Sequence, residues 1–219
     1  MAVLVKICGI NAAEAADAAA RAGADFAGLV FHPRSPRHVT PDQAATLAAR
    51  LRGRLRLVVL LSDPSDEAVA AAMAAVRPDF IQLHGGEPPG RVAAIRSRFG
   101  VPVIKAIAVA EPSDLAGVAA YEDAADMLLF DAKAPVGATR EGGHGIAFDW
   151  KILSGRKFAR PWFLSGGLNP ENVARALRIA EAPGVDVSSG VESAPGVKSP
   201  EKIAQFVSAA RNAQFGAAA

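Results

Sequence analysis

The chain has 219 residues, half of them hydrophobic, with 24 basic and 22 acidic side chains and a single cysteine. A net charge of +2 with scattered basic residues gives no nucleic-acid surface, and the run Arg50, Arg52, Arg54, Arg56 reads as a solvated helix end. One cysteine excludes an internal disulfide and points to a reducing compartment, the cytoplasm. No basic segment leads into a long apolar stretch as in a signal peptide, and no apolar run reaches the roughly 18 residues that span a bilayer.

In chain order, short apolar runs alternate with alanine-rich helical patterns. The predicted strands are Val3–Cys8, Phe26–Phe31, Leu57–Leu61, Phe80–Leu83, Val103–Ile107, Met127–Asp131, Trp162–Ser165 and Val185–Ser188. The predicted helices are Ala12–Arg21, Pro41–Arg52, Asp66–Val76, Pro89–Arg98, Pro112–Tyr121, Asp149–Leu153, Pro170–Ile179 and Pro200–Arg211. Thr40-Pro41, Asn169-Pro170 and Ser199-Pro200 each set a capping side chain before a proline at the first helical position, and Gly23 and Gly53 follow helix ends. Strands apolar throughout suit a parallel sheet covered by helices. Eight such units, with no linker between halves, predict one domain over residues 1–219. A closed (β/α)8 barrel of about 200 to 250 residues fits better than a doubly wound sheet, which has fewer units and a glycine-rich first turn.

A barrel carries its active site at the C-terminal ends of its strands. Those ends read Cys8-Gly9, "FHPRSPRHVT", "IQLHGG", "LLFDAK", "FLSGG" and "DVSSGVES". Gly166-Gly167 and Ser189-Gly190 let backbone N–H groups approach an anion, in the two loops where barrels often hold phosphate. Lys6 shares parity with Cys8, so its ammonium favours a thiolate, and Asp186 on the neighbouring eighth strand is a candidate partner for Lys6. Asp131 ends an apolar strand, where a carboxylate needs a partner or a proton; Lys133 is the nearest partner in sequence. Cys8 and Asp131 then face a small substrate from opposite sides, one removing a proton and one donating it. Arg37, in a loop stiffened by Pro33 and Pro36, can grip a carboxylate bidentately, and Arg34 has a similar claim. Gln82 and His84 share an inward parity; His84 is equally well read as a satisfied core histidine. No zinc-ligand spacing and no Walker A motif is present, so neither metal nor nucleotide cofactor is expected.

Taken in order, "KICGI", "GLVFHPRSPRHV", "IQLHG", "LLFDAK", "GGHGIAFDW", "FLSGGLNPENV" and "VDVSSGVESAPGVKSPEKI" resemble the phosphoribosylanthranilate isomerase family over nearly the whole chain. The resemblance implies a cofactor-free Amadori rearrangement in tryptophan biosynthesis, in which Asp131 is the general acid, Cys8 the general base, and Arg37 the holder of the anthranilate carboxylate. Gln82, His84, Gly143, Gly166, Gly167, Asp186, Ser189 and Gly190 complete the expected substrate-binding set. The implied partner is a small phosphorylated substrate, and the chain would act as a monomer or homodimer. Two positions depart from the pattern: His144 in the glycine-rich loop, and "LLSDPSD" after the third strand. Rival readings are a sugar-phosphate epimerase, which needs several metal-ligand histidines; indole-glycerol-phosphate synthase, for which Lys105 is a candidate catalytic lysine; and a non-catalytic phosphate binder.

Overall fold

A computed structural model describes residues 2–133 and 147–213. Eight parallel strands close into a barrel in sequential order: β1 (Leu4–Cys8), β2 (Phe26–Val30), β3 (Arg56–Leu61), β4 (Phe80–Leu83), β5 (Val103–Val109), β6 (Met127–Ala132), β7 (Trp162–Leu164) and β8 (Gly184–Val187). The seam is made by β1 and β8, with Lys6 opposite Asp186. This is the (β/α)8 architecture expected from the alternating pattern, with strand limits displaced by a residue or two.

The helices form where their start signals lie. They are α1 (Ala13–Ala22), α2 (Pro41–Leu51), α3 (Asp66–Val76), α4 (Pro89–Phe99), α5 (Val118–Ala124), α6 (Val173–Ala180) and α7 (Pro200–Arg211). Thr40 and Gln43 make a reciprocal capping box at α2, Ser199 accepts from Lys202 N at α7, and Gly23 ends α1 in the left-handed conformation.

Three expected helices differ. Pro112–Tyr121 is split: a 3₁₀ turn over Pro112–Leu115 precedes α5, because Asp114 draws the Ala110 and Glu111 amides back onto its carboxylate and Gly117 interrupts the run. Asp149–Leu153 shrinks to one 3₁₀ turn, Trp150–Ile152, ended by left-handed Gly155. At α6, Asn169 and Asn172 bond each other's backbone N–H, and regular helix is delayed to Val173. An antiparallel hairpin, β9 (Glu192–Ala194) and β10 (Val197–Lys198), also forms within the loop expected after β8.

Strand parity divides the core. Val5, Ile7, Leu29, Val59, Ile81, Leu83, Leu128 and Phe130 face the helices. Inside the barrel, Phe26, Val58, Ile104, Ala106, Met127, Leu129 and Phe163 form a separate plug, with Phe26 edge-on to Phe163 at 5.2 Å. The plug fills the N-terminal part of the barrel, so the inward positions above it, at the strand ends, are left for polar groups. The arginine run is only partly a solvated helix end: Arg50 and Arg54 grip Asp17, while the Arg56 guanidinium lies 4.0 Å from the Phe26 ring centre.

Candidate active site

Cys8 ends β1 with its side chain inside the barrel and is buried. Below it, Lys6 Nζ donates to Asp186 Oδ1 at 2.8 Å, as the shared parity and the barrel seam predict. Ser165 Oγ donates to the other Asp186 oxygen at 3.3 Å. Gly28 of β2 leaves room for the thiol: a Cβ there would stand 2.9 Å from Cys8 Sγ and 3.3 Å from Lys6 Nζ. Burial pushes the Cys8 thiol up. Lys6 and Lys198 pull the other way and Asp186 reinforces the rise, leaving the thiol above its ordinary value. Lys6 therefore favours the thiolate, as its shared parity suggests, while the loss of water around the sulfur opposes it.

Asp131 is the penultimate residue of β6, three strand positions from β1 around the ring. Its expected neighbour Lys133 turns instead to Asp114, at 3.1 Å. The Asp131 partner is His84: Nε2 lies 3.2 Å from Oδ2, while Nδ1 lies 2.9 Å from Gln82 Nε2. With the Gln82 amide donating, Nδ1 is the acceptor and Nε2 carries the proton shared with the carboxylate. Gln82, inward and fully buried, thereby orients His84 toward Asp131. The third residue on this side is Gly166, whose φ of +86° and missing Cβ leave space for the Ala132 amide and for Asp131 Oδ1, 3.2 Å from where a Cβ would stand. A cavity of about 480 Å³ opens here, lined by His84, Gly85, Ala106, Asp131 and Lys133.

Arg37 is buried, whereas Arg34 is exposed. The Arg37 stem packs on Gly9, where any Cβ would fall 2.6 Å from Cδ. Its Nε–Nη2 edge is already taken, bidentately, by Glu192 at 2.7 and 2.9 Å. Only the outer edge of the guanidinium is left to meet a further carboxylate. Burial alone would raise the Glu192 carboxyl, yet Arg37 and Lys198 hold it down at about 2.

The β7 and β8 loops meet through Gly190, where a Cβ would lie 1.8 Å from the Leu168 carbonyl oxygen. Gly166 and Gly167 both take positive φ, and Ser189 opens a 3₁₀ turn to Val191. The structure thus gathers Gly166, Gly167, Ser189 and Gly190 at one end of the mouth. Gly143 and His144 lie outside the described residues.

Reading the sequence missed Glu192, Lys198, Ser165 and Ser188. Ser188 Oγ donates to the Cys8 carbonyl at 3.1 Å, and Lys198 pairs with Glu192 at 2.8 Å. The Pro195-Gly196 turn signal between two short runs marked the hairpin that carries Glu192 and Lys198. Lys105 does not reach the mouth. It shares parity with Val103 and Ile107, faces the helices, and is buried in an ion pair with Glu87 at 2.7 Å. The synthase alternative loses its candidate catalytic lysine.

The family model described as N-(5'-phosphoribosyl)anthranilate (PRA) isomerase matches residues 5–209. The N-(5'-phosphoribosyl)anthranilate isomerase of Paracoccus denitrificans is 54% identical over 96% of this chain and 98% of its own, and that of Azorhizobium caulinodans is 55% identical over 98% and 94%. Among solved structures, the phosphoribosyl anthranilate isomerase of Thermotoga maritima superposes with a TM-score of 0.86 at 36% identity, covering 95% of this chain and 98% of that one. A phosphoribosyl anthranilate isomerase in complex with reduced 1-(o-carboxyphenylamino)-1-deoxyribulose 5-phosphate superposes with a TM-score of 0.82 at 35% identity, with the same coverage. The barrel, the polar rim and these likenesses agree: the chain belongs to the N-(5'-phosphoribosyl)anthranilate isomerase family.

Proposed function

We propose that the polar rim is where this enzyme works, with Cys8 and Asp131 as its acid–base pair. The enzyme is an aldose–ketose isomerase of tryptophan biosynthesis, converting N-(5-phosphoribosyl)anthranilate to 1-(2-carboxyphenylamino)-1-deoxyribulose 5-phosphate. The observation that carries the assignment of roles is the convergence, on one barrel mouth, of a thiol, a carboxyl and a guanidinium, all buried.

In this reading Asp131 gives its proton to the ribose ring oxygen as the C1′–O bond breaks, and the anilino nitrogen supplies the electron pair of the resulting iminium. Cys8, as thiolate, then takes the C2′ proton, and the C–H electron pair becomes the C1′=C2′ bond of a neutral enolamine. Protonation at C1′ and loss of the enol proton give the ketone, with no net change in protons or electrons. Both transfers are between a carboxyl or thiol and carbon or oxygen, so proton movement suffices for the chemistry. Arg37 presents its outer edge to the anthranilate carboxylate. Gly166, Gly167, Ser189 and Gly190 hold the phosphate, and Gly143 belongs to the substrate-binding set. Gln82 and His84 serve the acid side, and Asp186 serves the base side through Lys6.

We extend the reading to the whole molecule: one domain over residues 1–219, a cytoplasmic location, and a monomer or homodimer. Among the described residues no helix is long and apolar enough to cross a membrane. The Thermotoga maritima relative is described as dimeric. The test is a coupled assay with freshly prepared N-(5-phosphoribosyl)anthranilate, run with and without a chelator. Turnover in both arms is expected, and activity abolished by chelator would refute the metal-free reading.

A further inference from the structure

The hairpin after β8 carries two buried charges, Glu192 and Lys198, that the proton transfers above do not use. Lys198 Nζ has three hydrogens and three partners: Glu192 Oε1 at 2.8 Å, the Ser188 carbonyl at 3.0 Å and Ser188 Oγ at 3.1 Å. Ser188 Oγ passes its own hydrogen to the Cys8 carbonyl. Glu192, on its other side, holds the inner edge of Arg37. A continuous hydrogen-bonded chain therefore runs from the proposed carboxylate clamp to the backbone of the proposed base.

The charges around Cys8 do not cancel. Lys6 on β1 faces Asp186 on β8; Lys198 on β10 and Arg37 after β2 both face Glu192 on β9. His84 and Asp131 form their own pair across the mouth. Counted over the pair beneath the thiol and the hydrogen-bonded chain that ends at its carbonyl, three cations meet two anions, and one positive charge is in excess. A buried ammonium is a poor structural choice, because a methionine of similar length fills the space without the desolvation cost. Glu192 does not require it either, being gripped already by Arg37 and by the Gly196 amide at 3.2 Å.

We propose that Lys198 is a positioning residue for the isomerisation, setting the unbalanced positive charge beside Cys8 to favour its thiolate and fixing the Arg37 edge through Glu192. The catalytic consequence rests on Cys8 being the base. The electrostatic part does not, and it is supported by the direction of the thiol's ionisation: Lys198 opposes the rise that burial imposes.

The full chain has one cysteine, so the ultraviolet absorbance of the thiolate, corrected with a Cys8→Ser baseline, titrates this group directly. Lys198→Met should move the thiol midpoint up by about one unit, a tenfold change in ionisation, and lower kcat/KM about tenfold at neutral pH, with the deficit relative to the parent closing above the new midpoint. Lys198→Arg should restore most of both. Lys198→Gln keeps a donor to Ser188 without the charge; it should behave like the methionine variant, and it keeps the test open if Lys198→Met does not fold. An unmoved midpoint in a folded Lys198→Gln or Lys198→Met protein overturns the proposal. A folded Cys8→Ser enzyme with full turnover would overturn the reading of Cys8 as base, and the two failures are distinct.

Discussion

Lys6 and Asp186 face each other across the barrel seam, 180 positions apart in sequence and 2.8 Å apart in space, in an environment closed to solvent. Their pairing places a charged couple inside the barrel beneath the thiol. Removing one partner strands the other: Lys6→Met or Asp186→Asn should cost about 3–5 kcal/mol of stability. Replacing both with apolar residues should recover most of that loss. Thermal melting of the two single variants and the double variant decides the matter, and single variants as stable as the parent would show that the pair is not closed to water.

The acid and base are separable from the frame that holds them. Cys8→Ser and Asp131→Asn preserve shape, and each should lower kcat by about 10²–10⁴-fold, the usual contribution of a positioned acid or base. KM should change little, because the phosphate and carboxylate contacts remain. Measuring the melting temperature beside kcat distinguishes this from a core thiol, which would cost stability and spare turnover.

The pH profile follows from the raised thiol. The competent form pairs a thiolate with a protonated acid, so kcat/KM should fall on both sides of an optimum. The limb that reports Cys8 should lie on the alkaline side of an ordinary thiol, because burial raises the group. Lys6→Met should push it higher still. An alkaline limb below the ordinary thiol value, unaffected by Lys6→Met, would contradict the assignment.

Arg37 and Glu192 make a prediction about binding, with a matching one about acid stability. Arg37→Ala should weaken substrate binding by about 1.5–3 kcal/mol, and Arg37→Lys should not restore it, since an ammonium cannot occupy Glu192 and offer a second edge together. An unchanged kcat/KM would move attention to Arg34. Glu192, held down at about 2 against an ordinary 4.5, contributes stability that is complete above the ordinary value and is lost as pH falls through the folded one. The melting-temperature gap between the parent and Glu192→Gln should therefore narrow steadily below about 4.5. A gap independent of pH would refute it.

Gly190→Ala must displace the Leu168 carbonyl, because the added Cβ would fall 1.8 Å from its oxygen. The β7 and β8 loops cannot then keep their approach. Inhibition by inorganic phosphate should weaken and the melting temperature should fall; unchanged inhibition in a folded variant would remove these loops from the phosphate site.

The barrel was legible because its strands are apolar and evenly spaced, and the inward set was legible because parity is strict. Lys6, Cys8, Gln82, His84, Asp131 and Asp186 could all be placed on one face from alternation alone. The same rule applied to Lys105 puts it with Val103 and Ile107, outside the barrel. What sequence proximity suggested was less reliable: Lys133 lies two residues from Asp131 but points to Asp114, whereas His84 reaches Asp131 across β5. Glu192 and Lys198 look like solvated loop charges until the hairpin folds them under Arg37. The burial that raises the Cys8 thiol is equally out of view, because a neighbouring lysine is visible in a sequence and the loss of water is not.

The closure of β1 on β8 also constrains the order of events as the chain is made. Asp25 and the carbonyls of Val3 and Gly23 are bound by Arg211 at the end of α7, so the first strand is held by the last helix. Among the side-chain hydrogen bonds of the described residues these have the greatest sequence separations and carry the largest loop-closure cost, which makes them late to form. Until β8 is synthesised, Lys6 has no counter-ion and Cys8 has no Ser188 beside it. A nascent or truncated chain ending before β8 can therefore build most of the helix-packed sheet and still lack an organised thiol, and catalytic competence should appear as a single late step in refolding rather than growing with secondary structure.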